Sequence, residues 1–165
     1  YKSKNGTEPF IATKGTSGRI YSLTVDKENN IYAGSRNGYV YKSKNGSEPF
    51  IATKGTSGYI YSLTVDKENN IYAGSSNGYV HRSKNGTEPF TNILSAWGYI
   101  YSLTVDKENN IYAGSSDGNV YKSKNRIEPF TAMIGTSGYI YSLTTDKQGN
   151  VYAGSSDANL YHGKK

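Results

Sequence analysis

Gly58-Tyr59-Ile60-Tyr61-Ser62-Leu63-Thr64-Val65-Asp66-Lys67-Glu68-Asn69-Asn70-Ile71-Tyr72-Ala73-Gly74-Ser75 returns with small changes from Gly18, Gly98 and Gly138, a fixed step of 40 residues. Such a step marks a repeat architecture, in which each unit buries its apolar faces against the next copy. Ile60 to Val65 reads as a strand, being β-branched and aromatic without proline, and both of its alternating faces are uncharged. That pattern suits a strand covered on two sides. Asp66 to Asn70 then reads as a turn. In the fourth copy Gly149 stands in the column of Asn29, Asn69 and Asn109. Glycine and asparagine tolerate positive φ, so this column is expected to be left-handed and to close a hairpin.

Working outward, Ile71 to Ser75 is the second strand, and Gly74 (Gly34, Gly114 and Gly154 elsewhere) suggests a place where another backbone or ring approaches closely. Asn77-Gly78, matched by Asn37-Gly38 and Asp117-Gly118, is a hairpin signal. Tyr79 to Ser83 is the third strand. A turn with Pro89 at its lip follows, then a weaker fourth strand from Phe90 to about Leu94, with Phe50 and Phe90 expected to be buried where it starts. Four short antiparallel strands per repeat and no helical periodicity predict an all-β fold, a β-propeller of four-stranded blades. A β-solenoid has shorter coils, and a β-sandwich does not need near-identical repeats.

The length fits one domain over 1–165, with repeats at 1–40, 41–80, 81–120 and 121–160. Because the chain starts inside a blade, 161–165 is expected to finish a third strand that closes against the N-terminal fourth strand. The result is a four-bladed ring; the alternatives are half of an eight-bladed ring made by a homodimer, or part of a longer chain. Seventeen tyrosines and four phenylalanines point to a core of Tyr, Ile and Val. There is no cysteine, hence no disulfide. No apolar run approaches the roughly 20 residues of a membrane helix. The net charge is +6, spread over repeated Lys-Ser-Lys-Asn-Gly and Thr-Lys-Gly segments. Lysines on outer strands discourage edge-to-edge pairing. No specific nucleic-acid partner is expected, and a basic surface for polyanions is the weaker alternative.

Ser43-Lys44-Asn45-Gly46-Ser47-Glu48-Pro49-Phe50 resembles a degenerate Asp-box, the turn between the third and fourth strands in sialidase-like propellers. Ser43 matches, Asn45 replaces the Asp, the Gly comes one place early, and Phe50 stands for the Trp. The box recurs at Ser3 to Phe10 and Ser83 to Phe90, and decays at Ser123 to Phe130, where Arg126 and Ile127 replace the Gly and Thr. Ile71 to Val80 is similar to a hairpin of the same class. The resemblance implies a propeller and little about activity. Sialidase catalysis needs an arginine cluster, whereas Arg19, Arg36, Arg82 and Arg126 occupy different repeat positions.

No catalytic set is legible: His81 and His162 replace Tyr in the third-strand column, and no phosphate loop or nucleophile elbow is present. A non-enzyme without cofactor or metal is expected. Asp66-x-Glu68-x-Asn70 offers oxygen ligands for calcium, yet reads more simply as hairpin chemistry. The copies disagree most in the loop before the first strand, where the third repeat places Trp97. Fourth-to-first loops and second-to-third hairpins share one face of a propeller, which would gather Arg19, Tyr59, Trp97, Tyr99 and Tyr139 beside Asn77 and Asp117. Such a face suits a lectin-like, multivalent site for glycan or peptide. The alternative is a structural repeat scaffold, including an amplified or engineered one, with no intrinsic ligand.

Overall fold

The computed structural model describes residues 1–3, 6–9 and 11–163. Its strands form sheets in simple chain order. The first holds β1 (Ile20–Val25), β2 (Ile31–Ser35), β3 (Val40–Ser43) and β4 (Ile51–Ala52). The second holds β5 (Ile60–Val65), β6 (Ile71–Ser75), β7 (Tyr79–Ser83) and β8 (Thr91–Ser95). The third holds β9 (Ile100–Val105), β10 (Ile111–Ser115), β11 (Val120–Ser123) and β12 (Thr131–Met133). The fourth has three strands, β13 (Ile140–Thr145), β14 (Val151–Ser155) and β15 (Leu160–Gly163). Every pairing is antiparallel. Each sheet is therefore an up-and-down meander, and the first strands β1, β5, β9 and β13 lie side by side.

The first hairpin of each sheet is built around an aspartate. Asp66 Oδ1 accepts the N–H groups of Glu68 (2.9 Å) and Asn70 (2.8 Å), while Oδ2 accepts Asn70 Nδ2 (2.7 Å) and the Tyr72 hydroxyl (2.8 Å). Asp26, Asp106 and Asp146 repeat the arrangement. A carboxylate supplied with so many donors can be buried, because its lost hydration is replaced. The expected left-handed column follows, with φ of 61° at Asn29, 69° at Asn69, 64° at Asn109 and 91° at Gly149.

Packing between sheets repeats as strictly as the sequence does. Ser22 Oγ accepts the Leu63 N–H at 2.9 Å, and Ser62 does the same for Leu103 and Ser102 for Leu143. A Cβ added to Gly74 would lie 2.6 Å from Ile100 Cγ2 and 3.2 Å from the Ile100 carbonyl oxygen, so the group that approaches the glycine column is the next sheet's isoleucine, side chain closer than backbone, and not a ring. The core consists of slabs between sheets, one of them joining Tyr32 and Val40 to Ile60, Leu63, Ile71 and Phe90.

Three features differ from expectation. The turn after the third strand contains a single 3-10 turn (Lys44–Gly46, Lys84–Gly86, Lys124–Arg126), with Asn45 at φ 51°. Phe90 is buried but Phe50 only half so. Phe90 is covered by the preceding sheet, whereas Phe50 faces the cleft beside the N-terminal segment. The expected closure of 161–165 on the N-terminal fourth strand is not the arrangement found among the described residues. Ile11 instead exchanges two backbone hydrogen bonds with Lys2 (2.7 and 2.8 Å), and β15 pairs with β14. A short local loop costs less entropy to close than the joining of two chain ends. Lys4, Asn5, Phe10, Lys164 and Lys165, on which that closure and the first box also drew, lie outside the described residues. The fan stays open: Leu23 is 63% exposed, against 7% for its counterpart Leu63.

Truncating Phe90 to Ala should cost about 3–5 kcal/mol, as for other fully buried phenylalanines. Phe50→Ala should cost clearly less, and equal losses in urea titrations would contradict this placement of the two rings.

Candidate functional site

Where the first strands meet, the tyrosine columns form a continuous aromatic ribbon. The rings of Tyr21, Tyr61, Tyr101 and Tyr141 follow one another across the sheets with centroids 5.3, 5.3 and 5.1 Å apart. Tyr59, Tyr99 and Tyr139 add edge-on contacts to Tyr61, Tyr101 and Tyr141 at 6.3, 6.0 and 6.2 Å. Tilted and edge-to-face pairs at these separations are favoured by the ring quadrupoles. The ribbon exists because these tyrosines take alternate positions at the start of the first strand, and alternate side chains share a face. Its outer rings, Tyr59, Tyr99 and Tyr139, are about half exposed, so their edges meet solvent. Burial, followed by the neighbouring tyrosines, pushes the Tyr61 and Tyr101 phenols above their ordinary value. Arg36 lies 5.3 Å from the Tyr59 ring centroid and is the ribbon's one cation among the described contacts.

The structure divides the residues proposed from sequence. Tyr59, Tyr99 and Tyr139 belong to the ribbon. Arg19 is exposed in the column of Tyr59, and its carbonyl accepts the Arg36 N–H at 2.8 Å. Trp97 is 99% exposed and has no described ring contact with the ribbon. Asn77 and Asp117 sit in second-to-third hairpins and serve them: Asn77 Nδ2 donates to Ser57 Oγ at 2.7 Å, and Asp117 accepts the Tyr121 hydroxyl at 2.6 Å. Sequence reasoning passed over Tyr21, Tyr61, Tyr101, Tyr141 and Arg36. The signal for the first four was a tyrosine unchanged at that strand position in all four copies.

The other candidates are absorbed by the fold. The Asp66 oxygens that could have met calcium are taken by the four donors of the hairpin. His81 stands in the third-strand tyrosine column and is itself buried, and burial lowers its pKa. Lys42 lies 5.4 Å from the Tyr32 ring centroid and donates to the Gly86 carbonyl of the next sheet at 2.9 Å. Lys122 repeats the contact with Tyr112. Lys42 is thus engaged between sheets, while Lys122 lies over a ring of its own sheet. Arg126 stands at φ 54° where other copies carry glycine, and its guanidinium reaches back to Asp66 (3.6 Å) and Glu68. No helix among the described residues is long and apolar enough to cross a membrane.

With this geometry in hand, solved structures offer a comparison. The computationally designed Ika4 protein superposes with a TM-score of 0.76 over 92% of this chain and 94% of its own, at 18% identity. The computationally designed Ika8 protein gives 0.74 over 91% of this chain and 47% of its own, at 17% identity. The extracellular domain of BT4673 from B. thetaiotaomicron gives 0.72 over 88% of this chain and 21% of its own, at 22% identity. The chain is a β-propeller. It spans nearly all of the first of these chains, about half of the second and a fifth of the third. No family model and no curated protein matches it.

Two measurements check the site. Burial, then the Asp117 hydrogen bond, pushes the Tyr121 phenol up to about 12, and the phenols of Tyr32, Tyr72 and Tyr112 rise further in the same direction. These groups ionise more readily in the unfolded chain. Their stabilisation is complete below pH 10, the ordinary tyrosine value, and is lost as pH rises through 12. Unfolding midpoints in urea should fall across that window. Trp97→Ala, by contrast, should change stability by no more than about 0.5 kcal/mol, since an exposed ring without partners contributes little.

Proposed function

We propose that this protein is a non-catalytic repeat scaffold, a propeller segment that presents rigid blades and carries no chemistry of its own. The observation that supports it is where the repeated polar groups go. The aspartate, asparagine, serine and lysine columns each close a bond inside a sheet or onto the next one. In this reading the copies are alike because they solve one packing problem, and the open flanks receive more sheets of the same kind, a second copy of the chain included. The designed Ika4 and Ika8 proteins, whose shape it shares, are in keeping with a sequence organised around stacking. Within propellers, the turn in which Ser43, Ser83 and Ser123 Oγ donate to the Glu48, Glu88 and Glu128 carbonyls favours the Asp-box class.

A second reading rests on the ribbon. Half-exposed tyrosine edges repeated around one face, with Arg36 beside them, suit the flat faces of sugar rings or an extended peptide. Weak equivalent sites of this kind gain avidity when one partner spans several. Polyanion binding is the weaker option, because Lys42 is engaged between sheets and Lys122 lies over the Tyr112 ring.

Glycan and peptide arrays decide between the two main readings. A scaffold should bind neither at millimolar concentration. Binding that Tyr99→Ala and Tyr139→Ala both abolish, in variants that keep their circular dichroism, would overturn the scaffold in favour of recognition.

A further inference from the structure

The two flanks of the fan are unfilled halves of the interface that recurs inside it. At the first flank, Ile20 is 39% exposed where Ile60, Ile100 and Ile140 are fully buried. Leu23 is exposed where Leu63 and Leu103 are buried, and Asn29 is exposed where Asn69 and Asn109 are buried. These residues line an open cleft of about 1130 Å³ between β1 and β2 on one side and the N-terminal segment, with Lys2, Ala12 and Thr13, on the other. That segment is itself placed as the outer part of a preceding blade. Lys2 Nζ donates to the Gly46 carbonyl at 3.0 Å, as Lys42 does to Gly86, and the Phe50 N–H donates to the Lys14 carbonyl at 3.0 Å, as Phe90 does to Lys54. The inner first and second strands are what the cleft would hold.

At the last flank, β13 and β14 are inner strands, and none of the described residues of the N-terminal segment or of β1 covers Ser142 on their far side. Gly34, Gly74 and Gly114 each meet the isoleucine of the following sheet, whereas Gly154 meets only Ser142. Ser142 is exposed, while Ser22, Ser62 and Ser102 accept a leucine N–H from the next sheet.

We propose that a second copy of this chain fills the cleft: the β13–β14 flank of each copy enters the N-terminal cleft of the other, so that two seams close one ring. The inference rests on the scaffold reading above. Its argument is continuity with the internal interface, because the two flanks carry the two halves of one repeated contact. Ile20 would seat on Gly154 as Ile60 does on Gly34. Ser142 Oγ would accept the Leu23 N–H. Asn29 would take the Lys147 N–H and donate to Gln148, as Asn69 does with Lys27 and Glu28. Tyr152 would lie against Gly46 as Tyr32 lies against Gly86. The chain does not satisfy these contacts by closing on itself, since Ile20 and Leu23 on β1 and Ser142 on β13 stay exposed. Two copies are then the smallest assembly that leaves neither flank open, and head-to-tail contacts give a ring when the rotation closes.

The seam also requires an exchange of strands. Tyr1–Ser3 and β15 hold the same place in the repeat. β15 has four register pairs with β14, whereas Lys2 has the single bridge to Ile11. The N-terminal strand is therefore the one displaced, and Ile11 then moves to the open edge of β15 as its fourth strand.

Sedimentation equilibrium on the 165-residue chain tests this. The expected mass is twice 18.1 kDa, about 36 kDa. Leu23→Lys on one flank and Ser142→Arg on the other alter exposed positions, and each should weaken association by roughly 100-fold while leaving circular dichroism unchanged. Mixing the two variants should restore part of the dimer, because one seam of a mixed pair is native on both sides. A single-copy mass at all concentrations, a mass that climbs without limit, or a dimer indifferent to both variants would each overturn the proposal. A monomer that binds no glycan or peptide would sink the seam and leave the scaffold standing. A dimer that binds a ligand through its tyrosines would do the reverse.

Discussion

Everything in this molecule depends on the contact between one inner strand and the next. An isolated four-stranded meander with apolar residues on both faces cannot remain in water, since its apolar surface must be covered on two sides. The isoleucines of β5, β9 and β13 meet this demand by lying on the glycine of the preceding sheet, where a Cβ would leave no room. The serine of that preceding sheet takes the neighbouring leucine N–H. One position thus supplies apolar fit and another supplies register. Together they fix how each sheet is rotated on the one before it.

That constraint explains why so much of the polar sequence is spoken for. The aspartate that shapes each hairpin also holds the buried tyrosine hydroxyl of the second strand. This tyrosine in turn lies under the third-strand cation in the first and third sheets. A chain with only 35% apolar residues fills its interior by giving each second-strand phenol a carboxylate and each of those carboxylates further donors. What remains for an outside partner is the edge of the tyrosine ribbon and the flanks of the fan.

The copies are informative where they break the pattern. Arg126 adopts a left-handed backbone conformation that glycine holds elsewhere, and its side chain reaches the acidic residues of the preceding hairpin. Charge pairing with the Asp66 and Glu68 carboxylates offsets the backbone cost. Gly149 goes the other way. It keeps the left-handed turn but gives up the amide that Asn69 and Asn109 use to bind the preceding sheet, so the last internal seam is the least tied at that loop. Trp97, the most conspicuous departure in the sequence, points into solvent.

From the sequence alone came the period, the four strands, the hairpin chemistry and the close approach at the glycine column, because each is written in local residue types repeated four times. Tyr59, Tyr99 and Tyr139 were legible as neighbours for the same reason, and Asn77 and Asp117 as hairpin residues. The sequence could not show that Trp97 stands apart, nor that Phe50 and Phe90 differ in burial, for identical local words acquire different surroundings when one has a sheet behind it and the other a cleft. Whether the fan closes is likewise decided in three dimensions. The rotation between sheets is a property of how isoleucine, glycine and serine interlock, and its sum over four blades leaves Leu23 in water.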